Sequence, residues 1–119
     1  MQPIDLEQEK KDILNRYKAL LRACSDKTNA KDKKEIRKAL NIAVEAHKDM
    51  RRKSGEPYIF HPIAVAHIAA KEIGLGTTSI VCALLHDVVE DTDYTLQDIE
   101  KIFGKKVSQI IDGLTKIQD

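Results

Sequence analysis

Residues 80–89 form a stretch that is apolar nearly all the way round a helical cylinder. A helix of this kind has no face to offer to water, so other elements must enclose it. The flanking segments are suited to this, because their apolar residues recur every three or four positions and no alternating strand pattern appears. The sequence therefore predicts an all-α fold built round this helix.

The same periodicity divides the chain into six predicted helices. Their ranges are 5–23, 32–50, 61–73, 77–89, 95–103 and 105–117. Asp32 followed by Glu35, and Thr95 followed by Asp98, have the spacing of the capping boxes that begin helices. Gly104 is typical of a helix end and closes the fifth. No repeat and no low-complexity linker divides the chain, which indicates a single domain.

Composition limits the class of protein. The chain has 119 residues, enough for one domain, and its 33% charged and 42% hydrophobic residues are ordinary for a folded chain. No apolar run approaches the roughly 18 residues that a membrane span needs, and the N-terminus lacks an apolar signal segment. Two cysteines, Cys24 and Cys82, are too few for a disulfide framework. We therefore expect a cytoplasmic protein with no membrane partner and with Cys82 in its core.

The net charge of +1 hides an uneven distribution. Residues 27–53 contain ten basic and four acidic side chains, whereas residues 72–100 contain seven acidic side chains and no basic one. Solvated helix faces would explain this, and we favour that interpretation for the lysines of 31–38. The alternative is one region that attracts an anionic ligand and another that attracts a cation. Direct nucleic-acid binding ranks last, because no aromatic residue interleaves those lysines.

His86 and Asp87 stand in the middle of the apolar stretch, where an ionisable side chain needs a partner or a ligand. Glu90 follows at helical spacing, so the three side chains project toward neighbouring parts of one face. Imidazole and carboxylate groups together suit a divalent transition metal such as Mn, Fe or Zn. A core histidine or a surface ion pair is the ordinary alternative. His61, a second histidine at a predicted helix start, favours the metal.

Residues 51–55, with the sequence RRKSG, form a predicted loop that combines guanidinium and ammonium groups with a hydroxyl and a glycine. Such groups bind phosphate, and an arginine plane stacks on a base. An exposed basic loop without a ligand is the alternative. The loop comes shortly before His61, so we expect the two to share one cleft. His47 is expected to be a core residue, and Tyr58 to pack, although its hydroxyl could reach a nucleotide.

Several motifs occur together between about residues 46 and 116: RKSGEPYI at 52–59, His61-Pro62, HDVVEDT at 86–92, Phe103-Gly104 and DGLTK at 112–116. In order and spacing they resemble the N-terminal hydrolase domain of the RelA/SpoT family, a branch of the HD-domain metal-dependent phosphohydrolases. The resemblance implies an HD-domain helical bundle. It also implies removal of the 3′-pyrophosphate from the guanosine alarmones ppGpp and pppGpp, with one Mn²⁺ ion, in the bacterial stringent response.

The resemblance further implies a role for each motif residue. These roles are metal ligation by His61, His86 and Asp87, action on the attacking water by Glu90 and Asp91, and nucleotide binding by Arg52, Lys53 and Ser54. The division is physically consistent, because a bound metal ion polarises a phosphoryl oxygen and lowers the pKa of its water. A carboxylate beside another carboxylate has a raised pKa, which makes it a better base than an isolated one.

A fourth metal ligand is implied as well, an aspartate in a later helix near an Arg-Leu-His-Asn sequence, and no such sequence occurs up to Asp119. The apolar stripe of the last predicted helix, which reaches Ile117, also indicates further elements. We therefore expect residues 1–119 to be the N-terminal part of an HD-type domain, truncated at its C-terminal side, in a longer multidomain protein. We expect this segment alone to be weakly active or inactive. A bifunctional parent, with GTP pyrophosphokinase activity as well, stays open at this point.

Two other functions remain open at this point. One is an HD phosphohydrolase that acts on another nucleotide, which the SGEPYI sequence of the loop disfavours. The other is a non-catalytic helical module that binds a nucleotide or a partner and regulates it. Metal binding distinguishes the enzymes from the module, because the module needs none.

Overall fold

The computed structural model describes residues 5–24, 29–73 and 76–118. Its α-helices are α1 (Leu6–Cys24), α2 (Ala30–Ala46), α3 (Phe60–Ile68), α4 (Thr77–Asp91), α5 (Leu96–Phe103) and α6 (Lys105–Gln118). A π-helical segment, Ala69–Ile73, continues α3. No strand forms in the described residues, and the only bridge there joins Arg51 to Pro57. The prediction of an all-α bundle is confirmed.

The apolar stretch forms α4, which lies at the centre of the bundle and packs against α2, α3 and α6. Its buried apolar residues are Ile80, Val81, Cys82, Leu84, Leu85 and Val88. The neighbouring helices contribute buried residues to the same core cluster, including Leu40 from α2, Ile63 from α3 and Ile111 from α6. The prediction that this helix is enclosed is confirmed, and so is the core position of Cys82.

The capping residues predicted for α5 agree with the structure, whereas those predicted for α2 do not. Thr95 and Asp98 form the predicted capping box at the start of α5. The predicted start of α2 at Asp32 is wrong, because the side-chain oxygen of Asn29 accepts the Asp32 N–H at 2.8 Å and caps the helix earlier. Asp32 instead occupies the third helical position and completes that box.

The second helix also ends earlier than predicted, at Ala46 rather than near residue 50. The cause is the segment that follows it. The Tyr58 N–H donates to the Met50 carbonyl oxygen at 2.9 Å, and the Met50 N–H donates to the carbonyl oxygen of His47 at 3.0 Å. These bonds turn the chain back on itself, so the helical ladder cannot continue. Across residues 5–24, 29–73 and 76–118, no helix has both the length and the hydrophobicity that crossing a bilayer requires.

Candidate metal centre and the adjoining basic loop

The last two turns of α4 carry four ionisable side chains in two columns. His86 and Glu90 form one column and Asp87 and Asp91 the other, because residues four apart lie above one another on a helix. Leu84, Leu85 and Val88 bury the opposite part of the helix in the core. Core packing therefore fixes the position of the site, and only 8% of Asp87 is exposed.

His86, Asp87 and Glu90 form a possible metal site, since one ligand atom from each lies within 4.8 Å of the others. Nε2 of His86 is 3.3 Å from Oδ1 of Asp87. Two such ligands bound to one ion at tetrahedral or octahedral angles stand roughly 3.0–3.5 Å apart. The pair therefore fits a single divalent cation. Glu90 lies at the exposed rim of this group.

Tyr58 reaches this group from the segment before α3. Its hydroxyl donates a hydrogen bond to Oδ2 of Asp87 at 3.1 Å, which leaves Oδ1 on the side of His86. Burial, together with the nearby carboxylates of Asp87 and Asp91, raises the pKa of Tyr58 well above its usual range. The phenol therefore stays protonated and serves as a fixed donor. Sequence reasoning missed this contact, whose only signal was that Tyr58 belongs to the RKSGEPYI motif, shortly before His61.

His47 packs behind Tyr58, and its prediction as a core residue is confirmed, because only 1% of it is exposed. The two rings are 4.8 Å apart between centroids. Nδ1 of His47 donates to the carbonyl oxygen of Ala43 at 3.1 Å, and its buried Nε2 has no hydrogen-bond partner among the described residues. Burial lowers the pKa of His47, although the Ala43 carbonyl and the carboxylates of Asp87 and Asp91 oppose the shift. The neutral ring is therefore the favoured form.

His61 takes a different position from the other predicted metal ligands. It is not part of the group formed by His86, Asp87 and Glu90. Its Nδ1 lies 3.3 Å from Nη1 of Arg52, and its ring stands edge-on to Tyr58 at 6.1 Å. Because a guanidinium can only donate, Nδ1 accepts this bond, and a neutral His61 then carries its proton on Nε2.

The basic loop is a tight hairpin between α2 and α3. The Arg52 N–H donates to the Glu56 carbonyl oxygen at 3.0 Å, and the Gly55 N–H donates to the Arg52 carbonyl oxygen at 2.8 Å. Gly55 has a φ of 94°, a left-handed conformation that favours glycine. The loop lines an open cavity of about 690 Å³ whose walls are Arg51, Arg52, Lys53, Ser54, Glu56 and Tyr58. The three predicted nucleotide-binding residues thus face one space.

Arg51 anchors this hairpin to the first helix. Its Nη2 donates to Oε1 of Glu9 at 2.7 Å, and its Nη1 donates both to Oε2 of Glu9 at 2.9 Å and to the Gly55 carbonyl oxygen at 2.7 Å. The hydrogen bonds from Arg51 lower the pKa of Glu9. The bidentate contact crosses 42 positions of sequence, so no local pattern announces it.

The structure thus places the predicted site residues in two neighbouring sets joined by Tyr58. His86, Asp87, Glu90 and Asp91 lie on α4, and Arg52, Lys53 and Ser54 lie on the hairpin. His61 stands with the hairpin through Arg52. A cation site beside a cationic loop can hold a metal ion and a multiply charged anion side by side, which is the requirement for metal-assisted phosphate chemistry.

A family model described as HD domain matches residues 39–119. Among curated proteins, the chain is 49% identical over 84 residues to the bifunctional (p)ppGpp synthase/hydrolase SpoT of Escherichia coli K12. That match covers 71% of this chain and 12% of the relative. It is 46% identical over 83 residues to the guanosine-3′,5′-bis(diphosphate) 3′-pyrophosphohydrolase of Aquifex aeolicus, which covers 70% of this chain and 12% of the relative.

A solved structure of a metazoan orthologue of SpoT, described as hydrolysing ppGpp and as playing a role in starvation responses, superposes with a TM-score of 0.65. Its sequence is 33% identical, and the match covers 74% of this chain and 49% of that one. This chain therefore spans about half of that structure and about 12% of the two curated relatives.

Proposed function

The chain belongs to the HD-domain family, and on that premise we propose that it forms part of a metal-dependent enzyme that hydrolyses the 3′-pyrophosphate of ppGpp and pppGpp. The products are GDP or GTP together with pyrophosphate. The observation that carries the proposal is the Tyr58–Asp87 hydrogen bond, which joins the basic hairpin to the metal-capable group on α4. The names of the relatives support the substrate.

In this proposal His86 and Asp87 hold one Mn²⁺ ion. His61 would be the third ligand, through the Nδ1 lone pair that accepts from Arg52 in the structure and would be free for the ion if Arg52 bound the nucleotide. A fourth ligand comes from a segment of the longer protein that follows this one. When bound, the ion supplies Lewis-acid polarisation of a phosphoryl oxygen and lowers the pKa of a water molecule.

Glu90 and Asp91 act on the attacking water in this proposal. Both are exposed at the end of α4, one turn beyond His86 and Asp87, which supports a position for their carboxylates beside the attacking water. They orient the water and take its proton as its oxygen bonds to phosphorus. The bond from phosphorus to the ribose 3′ oxygen breaks, pyrophosphate leaves, and the proton taken from the water passes to the 3′ oxygen, which ends as a hydroxyl.

The hairpin binds the nucleotide. Arg52 and Lys53 are exposed cations, and the Ser54 hydroxyl lies beside them on the same cavity wall. Guanidinium and ammonium groups bind phosphate oxygens through charge-assisted hydrogen bonds, and the guanidinium plane also stacks on a base. We propose that the whole protein works in the cytoplasm and that its remaining length carries other activities, including alarmone synthesis.

Two binding measurements and one assay test the proposal. Mn²⁺ and ppGpp binding are measured by titration calorimetry on this chain and on His86→Ala, and pyrophosphate release is followed with ppGpp and dGTP in parallel. We expect Mn²⁺ and ppGpp to bind, His86→Ala to lose the metal, and any pyrophosphate release to be slow and confined to ppGpp. Strong turnover of ppGpp would contradict the idea that a later segment completes the site.

The same measurements separate the alternatives. Faster turnover of dGTP than of ppGpp would indicate an HD phosphohydrolase with another nucleotide as its substrate. Tight ppGpp binding in the absence of any Mn²⁺ binding would indicate a regulatory module without catalysis. In either case the proposed reaction would be wrong.

A further inference from the structure

The contact between Glu9 and Arg51 brings the first helix to the hairpin. Both oxygens of the Glu9 carboxylate accept from the guanidinium, and the same guanidinium donates to Gly55 at the tip of the turn. The two side chains are 22% and 31% exposed, so the pair is partly covered. Glu9 precedes residue 39, where the HD-domain match begins. It is also absent from the cavity wall that the hairpin forms.

A second contact ties the other end of the same segment to α1. The guanidinium carbon of Arg16 lies 4.1 Å from the centroid of the Phe60 ring, a cation–π contact at the first residue of α3. Arg16 follows Glu9 by seven positions, about two helical turns, so the two side chains leave α1 on nearly the same face. One helix face therefore holds residues 51–60 at both ends.

We propose that Glu9 is a positioning residue for nucleotide binding, which acts by holding Arg51 on the hairpin so that Arg52 and Lys53 are presented to the ligand. The proposal rests on the proposed function, since it concerns how the same cavity binds an alarmone. It adds a residue to the site that lies outside the family match.

The charges of the hairpin explain why a positioning residue is useful. Arg51, Arg52 and Lys53 are three successive cations, and a polyanionic nucleotide would attract all three in competing arrangements. Glu9 neutralises the first and holds it in a bidentate geometry, which an arginine fork favours. Ordering the loop before the ligand arrives also reduces the conformational entropy lost on binding. Without Glu9, Arg51 keeps its own bond to the Gly55 carbonyl oxygen but loses the contact that holds it to α1.

The test is Glu9→Gln, which keeps the shape of the side chain and removes its charge. Glu7→Gln is the matched control, because Glu7 is an exposed acid two positions away that projects from another side of α1. The measurements are hydrogen–deuterium exchange of residues 51–57 without ligand, and calorimetric affinities for ppGpp and for Mn²⁺. An Arg51→Met chain and the double variant complete a mutant cycle.

We expect Glu9→Gln to speed exchange in residues 51–57 and to weaken ppGpp binding roughly three- to fivefold, the upper part of what a partly exposed ion pair supplies. Mn²⁺ affinity and the melting temperature should stay near those of Glu7→Gln. In the Arg51→Met background, Glu9→Gln should have no further effect.

Equal ppGpp affinity for Glu9→Gln and Glu7→Gln would overturn the inference and leave the proposed function intact. Faster exchange without weaker binding would do the same, because it would reduce Glu9 to a purely structural role. A loss of affinity that persists in the Arg51→Met background would show that Glu9 does not act through Arg51. A wild-type chain that binds no ppGpp would instead overturn the proposed function, and with it the substrate named here.

Discussion

The Tyr58 hydroxyl donates a hydrogen bond to Oδ2 of Asp87, with 3.1 Å between the two oxygens. The bond joins residues 29 positions apart. It occupies Oδ2, so Oδ1 is the carboxylate oxygen that lies beside His86. Hydrogen bonds of this kind hold a metal-binding carboxylate in one orientation, and their loss typically lowers metal affinity. The phenol therefore belongs to the candidate metal centre, although it lies on the segment that leads out of the basic hairpin.

Replacing Tyr58 by phenylalanine tests this relationship. The ring and its packing against His47 stay, while Asp87 loses its donor, so we expect Mn²⁺ affinity to fall by about tenfold or more. Calorimetric titration of Tyr58→Phe measures the effect, and Tyr17→Phe on α1 is the control for loss of a phenol elsewhere. Equal Mn²⁺ affinities in the two variants would show that the hydroxyl does not support the carboxylate.

A second prediction concerns stability in mild acid. Burial lowers the pKa of His47, so in the folded state its ring resists a proton that the unfolded chain accepts below about pH 6.5. The contribution of His47 is complete above that pH and is lost as the pH falls toward the folded pKa. His47→Phe should therefore flatten the decline of the unfolding free energy between pH 7.5 and 5, as measured by urea denaturation.

The control for this experiment is His67→Phe, which changes a less buried histidine of α3. It should leave the slope with pH closer to that of the wild-type chain. The same slope for His47→Phe and the wild-type chain would exclude His47 as the source of the acid sensitivity. The charges of Asp87 and Asp91 act on the His47 ring, so the three chains should be compared over the same range, from pH 7.5 down to 5.

A third prediction concerns the core that supports the site. Leu85 of α4 is fully buried next to His86, and Leu85→Ala should lower the unfolding free energy by about 2–5 kcal/mol through lost burial and the cavity left behind. Leu14→Ala, at a position that is 49% exposed, should cost much less. Chemical denaturation of both variants measures the difference. Similar losses would mean that α4 is not the central element of the bundle.

A fourth prediction concerns thiol reactivity. Burial raises the pKa of Cys82 to about 11, and its Sγ lies 4.0 Å from the Val107 carbonyl oxygen. Because the thiolate is the reactive form, iodoacetamide at pH 8 should modify Cys82 slowly in the native chain and rapidly in urea. Peptide mass spectrometry follows this cysteine separately from Cys24. Equal rates in the two conditions would place Cys82 outside the core.

The sequence predicted the helices well where burial decides the outcome. The all-apolar stretch became the central helix because such a segment has no exposed alternative, and the Thr95 box was correct because its partner is three residues away. The predicted start of α2 was wrong for a local reason. Asn29 and Asp32 are both capable of capping the helix, and Asn29, which precedes Asp32, is the residue that does so. The end of α2 depended on Tyr58, which returns to Met50 from outside the helix.

The candidate site was predicted only in part. Contacts between residues close in sequence were predicted, and contacts between distant residues were not. His86, Asp87 and Glu90 come together because helical spacing alone brings them together. The contacts Tyr58–Asp87 and Glu9–Arg51 span 29 and 42 positions, so only the packed fold determines them. His61 and Arg52 were both predicted as site residues, whereas their contact with each other was not. The roles assigned to individual residues remain predictions.

The central position of α4 has a consequence for redesign. The same 15 residues supply much of the bundle's interior and its metal-capable group, so a library that varies them would lose many members to misfolding before selectivity could be screened. Residues 52–54 should tolerate substitution better, because they are exposed and contribute nothing to the core. A search for altered ligand preference should therefore randomise the hairpin tip and leave the helix untouched.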